Sequence, residues 1–216
     1  MPGGALPAAD PGDPLRWAFS PYELPLVASG LICLALVGLV FGRRPRIGNT
    51  PFVLLLLAVA MWALANAVEL ACLDLPVKLF WANVEYLPIV SVPVLWLAFT
   101  WEYFDGGQRL PWRTLVLLTA IPTITLALVW TNGAHGLMRR DVTLDSAGPF
   151  SVVRKTYGPW FYVHMAYAYL LLGTGAYRVI RTLLRSPHIY RGQALSLLVA
   201  CSVPWAGNAA YILHRS

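Results

Sequence analysis

From Pro25 to Gly42 the chain carries no charged side chain, and it then meets Arg43, Arg44 and Arg46. A run of that length and apolarity can cross a bilayer, and cations behind it suit a membrane–water interface. The pattern recurs along the chain. Further spans are expected at Pro51–Leu73, Lys78–Tyr103 and Pro111–Thr131, then at about 158–184 and 193–213. The chain is 58% hydrophobic and 12% charged, against about 25% charged in soluble domains, which leaves no room for a soluble catalytic domain beside the spans. The expected fold is therefore an all-α membrane protein, a polytopic bundle of six transmembrane helices.

The connections carry their own signals. Residues 1–24 are rich in Pro and Gly and place Arg16 against Asp10, Asp13 and Glu23. A secretory signal would need a positive segment directly before its apolar run, so this stretch reads as an exposed tail. Asp74-Leu75-Pro76 is a tight turn, and Asp105-Gly106-Gly107 leads into the fourth span. Pro88 and Pro93 interrupt the third span, where prolines kink a helix and free carbonyls for neighbouring donors. Residues 132–156 form the one long loop. Leu137–Leu144 and Phe150–Thr156 read as strands around Asp145-Ser146-Ala147-Gly148, giving a small β-hairpin that caps this face.

Lys and Arg are concentrated in the loops after spans one, three and five: Arg43, Arg44 and Arg46, then Arg109 and Arg113, then Arg178, Arg181, Arg185 and Arg191. Most of those on the other face sit in the long loop, which orientation rules discount. The positive-inside rule then puts the N-terminus and the hairpin outside, with Arg178–Arg191 as a cytoplasmic anchor. The net charge of +6 follows from this anchoring and implies no nucleic-acid partner. Cys33, Cys72 and Cys201 fall inside spans at no metal-binding spacing and read as small apolar fillers.

Charged side chains in hydrocarbon cost roughly 2.5–3.5 kcal/mol each, so they mark candidate sites. Here they and their polar neighbours are Asn66 and Glu69, Asn83 and Glu85, His164, and Asn208. At 1.5 Å per residue, Glu69, Glu85, His164 and Asn208 all lie roughly 6–11 Å below one outer surface. Asn66 and Glu69, three apart, share a helix face. Tyr157, His164, Leu171 and Arg178 recur every seven residues, and Pro204, Trp205, Asn208 and Tyr211 make a similar stripe. Three readings stay open at this point: an outward-opening sensing pocket, a proton or metal site, and interhelical hydrogen bonds worth about 0.6–2 kcal/mol each. No spacing within one span supports a metal. Glu102 and Asp105 read as inner-interface anchors, and His135, His188 and His214 carry no assigned role. Retinal chemistry is excluded because Lys78 and Lys155, the only lysines, are not mid-span.

Four segments together resemble the N-terminal seven-transmembrane sensor region of bacterial histidine kinases. They are ALANAVELACLDLPVKLFWANVEYLPI (63–90), YGPWFYVHMAYAYLLL (157–172), LLRSPHIYRGQ (183–193) and VPWAGNAAYIL (203–213). The resemblance covers about 25–213. It implies a sensory input domain of a kinase or cyclase type of signalling protein, in the bacterial inner membrane, acting on a small or lipophilic ligand or on membrane state. It points to Glu69, Glu85, Tyr157, Trp160, His164, Trp205 and Asn208 for the pocket. The expected partners are the bilayer, a small ligand, a cytoplasmic output domain and a second copy as a homodimer, with no cofactor. The family's seventh span and kinase domain do not occur before Ser216, so the chain reads as a sensor module cut before that helix and without enzyme activity of its own. The rival readings are a small transporter or intramembrane enzyme using Glu69, Glu85 and His164, or a structural membrane subunit.

Overall fold

A computed structural model describes residues 17–42, 48–104, 107–145 and 151–185. Six helices and one hairpin follow in chain order: α1 (Glu23–Phe41), α2 (Asn49–Ala71), α3 (Leu75–Phe104), α4 (Trp112–Trp130), the short α5 (Asn132–His135), β1 (Arg139–Asp145), β2 (Val152–Tyr157) and α6 (Pro159–Arg185). The helices α1 to α4 are each long and apolar enough to cross a membrane. With 27 residues α6 is longer than most of them, but its tyrosines, His164 and arginines make it less apolar. The expected sixth span, 193–213, lies outside the described residues.

The bundle is organised on α3, which packs against α2, α6 and α4, while α1 packs on α2. Two apolar clusters hold it together. Trp96, Phe99 and Val179 pack with Phe52, Leu55 and Leu172 between α2, α3 and α6. Val94, Leu97 and Leu171 pack with Leu118 and Tyr167 between α3, α4 and α6. The approach of α6 to α3 depends on Gly175, where a Cβ would lie 2.3 Å from Trp96 Nε1. The same indole donates to the Leu172 carbonyl at 3.1 Å, so α3 and α6 are joined by both packing and a hydrogen bond. Outward faces of α1 and α4, such as Leu39 and Leu117, remain exposed as lipid-facing surfaces do.

Two boundaries differ from the sequence expectation for a physical reason. The third span starts at Leu75, earlier than Lys78, because Pro76 fits a first helical turn whose N–H groups have no partner anyway. Residues 17–24 do not hang free as a tail. Ala18 N donates to Ala71 O at 2.9 Å, Trp17 pairs with Cys72, and Ser20 and Glu23 are buried. Ser20 N donates to Glu23 Oε1 at 3.0 Å, which ties this segment to the first residue of α1.

The loop after α4 forms the hairpin. Its strands are antiparallel, with Arg139 opposite Tyr157 and Asp145 opposite Val152, and a bulge falls between Arg140 and Thr143. Arg154 and Asp145 form an ion pair at 2.7 Å. The expected turn at 145–148 lies largely outside the described residues. Backbone bonds from Gly158 N to Met138 O and from Trp160 N to Leu137 O, both 3.0 Å, run the hairpin straight into the first turn of α6. Pro159 opens that helix, at a position in the first turn that needs no N–H.

Candidate functional site

The polar residues flagged within the spans fall into two groups, split by which helix each one meets. The first lies where α2, α3 and the hairpin converge. Asn66 Nδ2 donates to Glu85 Oε1 at 3.2 Å, and the Glu69 carboxyl interacts with the same Glu85 carboxyl. Asn66 and Glu69 thus present one face of α2 to α3, as their spacing requires. Glu85 is almost wholly buried. On the far side of α3, Arg139 enters from β1 and donates through Nη2 to Asn83 Oδ1.

Arg139 is placed by a backbone clamp. Asn132 Oδ1 accepts from Met138 N at 2.9 Å and Arg139 N at 3.1 Å, and Asn132 Nδ2 donates back to Arg139 O at 2.9 Å. The guanidinium is buried, and its Nη1 has no hydrogen-bond partner among the described residues. Burial pulls its pKa down from the ordinary arginine value, while the Tyr86 hydroxyl and Glu69 carboxylate pull it back up. A buried cation without direct ion pairing depends on such neighbours.

Lys78 closes this group at the start of α3. Only 1% exposed, it donates from Nζ to Glu69 O at 2.6 Å and Leu70 O at 3.3 Å. These are two of the four carbonyls that the end of α2 leaves without helical partners. The other two are met by Cys72 N on Val68 O and by Ala18 N on Ala71 O. Lys78 therefore serves as a buried cap on a helix C-terminus, where the dipole favours a cation. As a span-end lysine it reads as an anchor; its position two residues after the Asp74-Leu75-Pro76 turn is the available signal for a cap.

The second group lies between α4 and α6. Thr125, fully buried, donates to Ile121 O at 2.8 Å and accepts from Trp160 Nε1 at 2.9 Å. Its oxygen also meets His164 Nδ1 at 3.4 Å. His164 Nε2 is buried and has no hydrogen-bond partner among the described residues. Tyr167, one turn on, donates its hydroxyl to Leu118 O. Tyr157 stacks on Phe161 with ring centroids 3.8 Å apart, between hairpin and helix. Thr125 was not singled out from sequence because a Thr in an apolar helix usually bonds only its own backbone.

At the other end of the bundle, Arg178 lies over the Trp101 ring, 3.9 Å from its centroid. Arg181 is exposed, whereas the Arg185 side chain and Arg191 lie outside the described residues. So do Trp205 and Asn208. Glu102, read as an anchor, instead accepts from Gly48 N at 3.3 Å and so ties the start of α2 to α3. Gly48 takes a left-handed φ of 80°, which glycine adopts without strain.

Among the described residues, no group of three or more His, Cys, Asp or Glu side chains could hold a metal ion. Between α2, α3 and α4 runs an apolar groove of about 480 Å³ lined by residues including Met61, Leu87, Pro88 and Pro122. It lies beside the polar groups and is built of side chains suited to lipid or a lipophilic molecule.

Compared with known proteins, the chain matches the family described as the N-terminal 7TM region of histidine kinase over residues 25–216. No curated protein matches it. The matched stretch takes in α1 to α6, the hairpin and both polar groups, and the chain belongs to this family of histidine-kinase sensor regions.

Proposed function

We propose that the chain senses a small or lipophilic ligand, or membrane state, near the outer leaflet of a bacterial inner membrane and passes the change to an output domain. The family match makes it a membrane-embedded input region for signal transduction, distinct from the kinase's catalytic part. The observation that carries the ligand reading is the polar set of buried Glu85 and Arg139 with half-buried Asn66, Glu69 and Asn83, which joins two spans to the hairpin. Polar groups of this kind hold two arrangements apart in energy, and a ligand shifts them only by binding one arrangement better. The hairpin continues directly into α6, so movement at Arg139 has a stiff path to the Arg178 end. In this reading six spans cross the membrane with the N-terminus and hairpin outside. Trp205 and Asn208 complete the pocket, and the chain works as a homodimer.

The transporter or intramembrane-enzyme reading needs Glu69, Glu85 and His164 to act as one unit. The hydrogen bonds of His164 run to α4, while those of Glu85 run to α2, which favours sensing over shared proton chemistry. In a chimera with a complete kinase, Glu85→Gln and His164→Ala are each expected to shift basal output or response at least several-fold. Unaltered output and response in both variants would defeat the pocket reading. A fall in thermal stability with no change in signalling would leave the polar groups as structural ties only.

A further inference from the structure

Pro122 interrupts the hydrogen bonding of α4 inside the membrane. A proline has no N–H to give to the carbonyl four residues earlier, so Leu118 O loses its regular helical donor. In hydrocarbon no water replaces that donor. Tyr167 of α6 does: its hydroxyl donates to Leu118 O. The tyrosine and Leu118 both pack on the cluster of Val94, Leu97 and Leu171, so the bond crosses a closed apolar joint.

A second bond between the same helices has matching spacing. Trp160 Nε1 donates to Thr125 Oγ1 at 2.9 Å. Trp160 and Tyr167 are two turns apart on α6, and Thr125 and Leu118 are two turns apart on α4, about 10 Å along each axis. Two bonds so spaced on antiparallel helices fix one register, and a slide or turn of α6 along α4 breaks both. Leu118 stands well inside its helix, so its carbonyl would then be left without a donor in hydrocarbon. That cost makes the registered and displaced arrangements discrete. On its other side α6 packs more extensively on α3, with Gly175 against Trp96, and the joint with α4 is the weaker of the two.

We propose that Tyr167 and the Leu118 carbonyl freed by Pro122 form a latch between α4 and α6, and that its closing and opening set the signalling state of the chain. This inference rests on the reading in which α6 carries the signal, and it names the element that holds α6 in one of two arrangements. The hairpin is bonded to Trp160 in the first turn of α6, and Tyr167 follows two turns on. A displacement at the hairpin thus reaches the latch before it reaches Arg178. With the latch open, α6 moves with α3 past α4 as a packed unit.

The test places Tyr167→Phe, Pro122→Ala and the two together in the full chain joined to a complete kinase, in nanodiscs. Spin labels at Leu117→Cys and Leu170→Cys, both at exposed positions, report the α4–α6 distance by double electron–electron resonance in an otherwise cysteine-free background. Tyr167→Phe removes only the donor and should change basal kinase output about fivefold and shift or broaden the distance. Pro122→Ala gives Leu118 O an N–H from its own helix, so it competes with Tyr167 and should move output in the same direction. In that background Tyr167→Phe should add less than about twofold. A tyrosine that only fills space would have the same effect in both backgrounds, so additive effects would overturn the latch. Unchanged output and distance in Tyr167→Phe, beside an altered response in Glu85→Gln, would also overturn it while leaving the sensing reading intact. A shifted distance with unchanged output would overturn its signalling role together with the reading that α6 carries the signal. Where Tyr167→Phe does not fold, unchanged output in Pro122→Ala would be the overturning result.

Discussion

Gly158→Ala is expected to destabilise the protein by about 3 kcal/mol, the upper end of what overpacking costs. A Cβ at this position would lie 2.2 Å from Leu137 O, 2.4 Å from Leu137 C and 2.6 Å from Gly136 O. All three are backbone atoms, which cannot rotate aside as a side-chain tip would. The strain must move either the hairpin or the first turn of α6, and both Gly158 N→Met138 O and Trp160 N→Leu137 O would lengthen. Because Met138 and Arg139 are clamped together by Asn132, the shift should also draw the Arg139 guanidinium away from Asn83. Thermal unfolding in nanodiscs and output from the kinase chimera check both halves. Gly133→Ala, at a glycine whose Cβ would meet nothing within 4 Å, is the comparison and should be near neutral. Equal stability of the two variants would show that the hairpin is not seated on α6 as described.

Lys78→Met should have an effect of similar size by a different route. Methionine fits the space but removes the donor for Glu69 O and Leu70 O, two carbonyls that no water replaces at a 1%-exposed site. It also removes a buried cation that interacts with Glu69, Glu23 and Glu85. Removing one partner from a buried charged group costs about 3–5 kcal/mol. For a domain of this size that is a drop of roughly 6–20 °C in the unfolding midpoint. Arg113→Met, at an exposed position in the first turn of α4, should change it little. An unshifted midpoint for Lys78→Met would mean that the ammonium is not what caps α2.

The sequence by itself determined the four strongly apolar spans, the hairpin and a further helix beginning near residue 158. These follow from local causes: runs of apolar residues, turn residues and proline's missing donor act within a few positions of themselves. It also picked out the polar residues, because a charged or amide side chain in an apolar run is visible without knowing its neighbours. Which of them meet was decided by the tertiary structure. Depth below the surface suggested one pocket containing Glu85 and His164 alike, yet the rotation of each helix sends Glu85 towards Asn66 and His164 towards Thr125. Rotation about a helix axis is set by packing partners, here α3 held to α6 through Trp96 and Gly175, and no linear spacing encodes it. The roles of Lys78 and Arg139 came from the same source. A cation near a span end reads as an anchor in water until folding shows that it is buried against another helix's carbonyls or another span's amide.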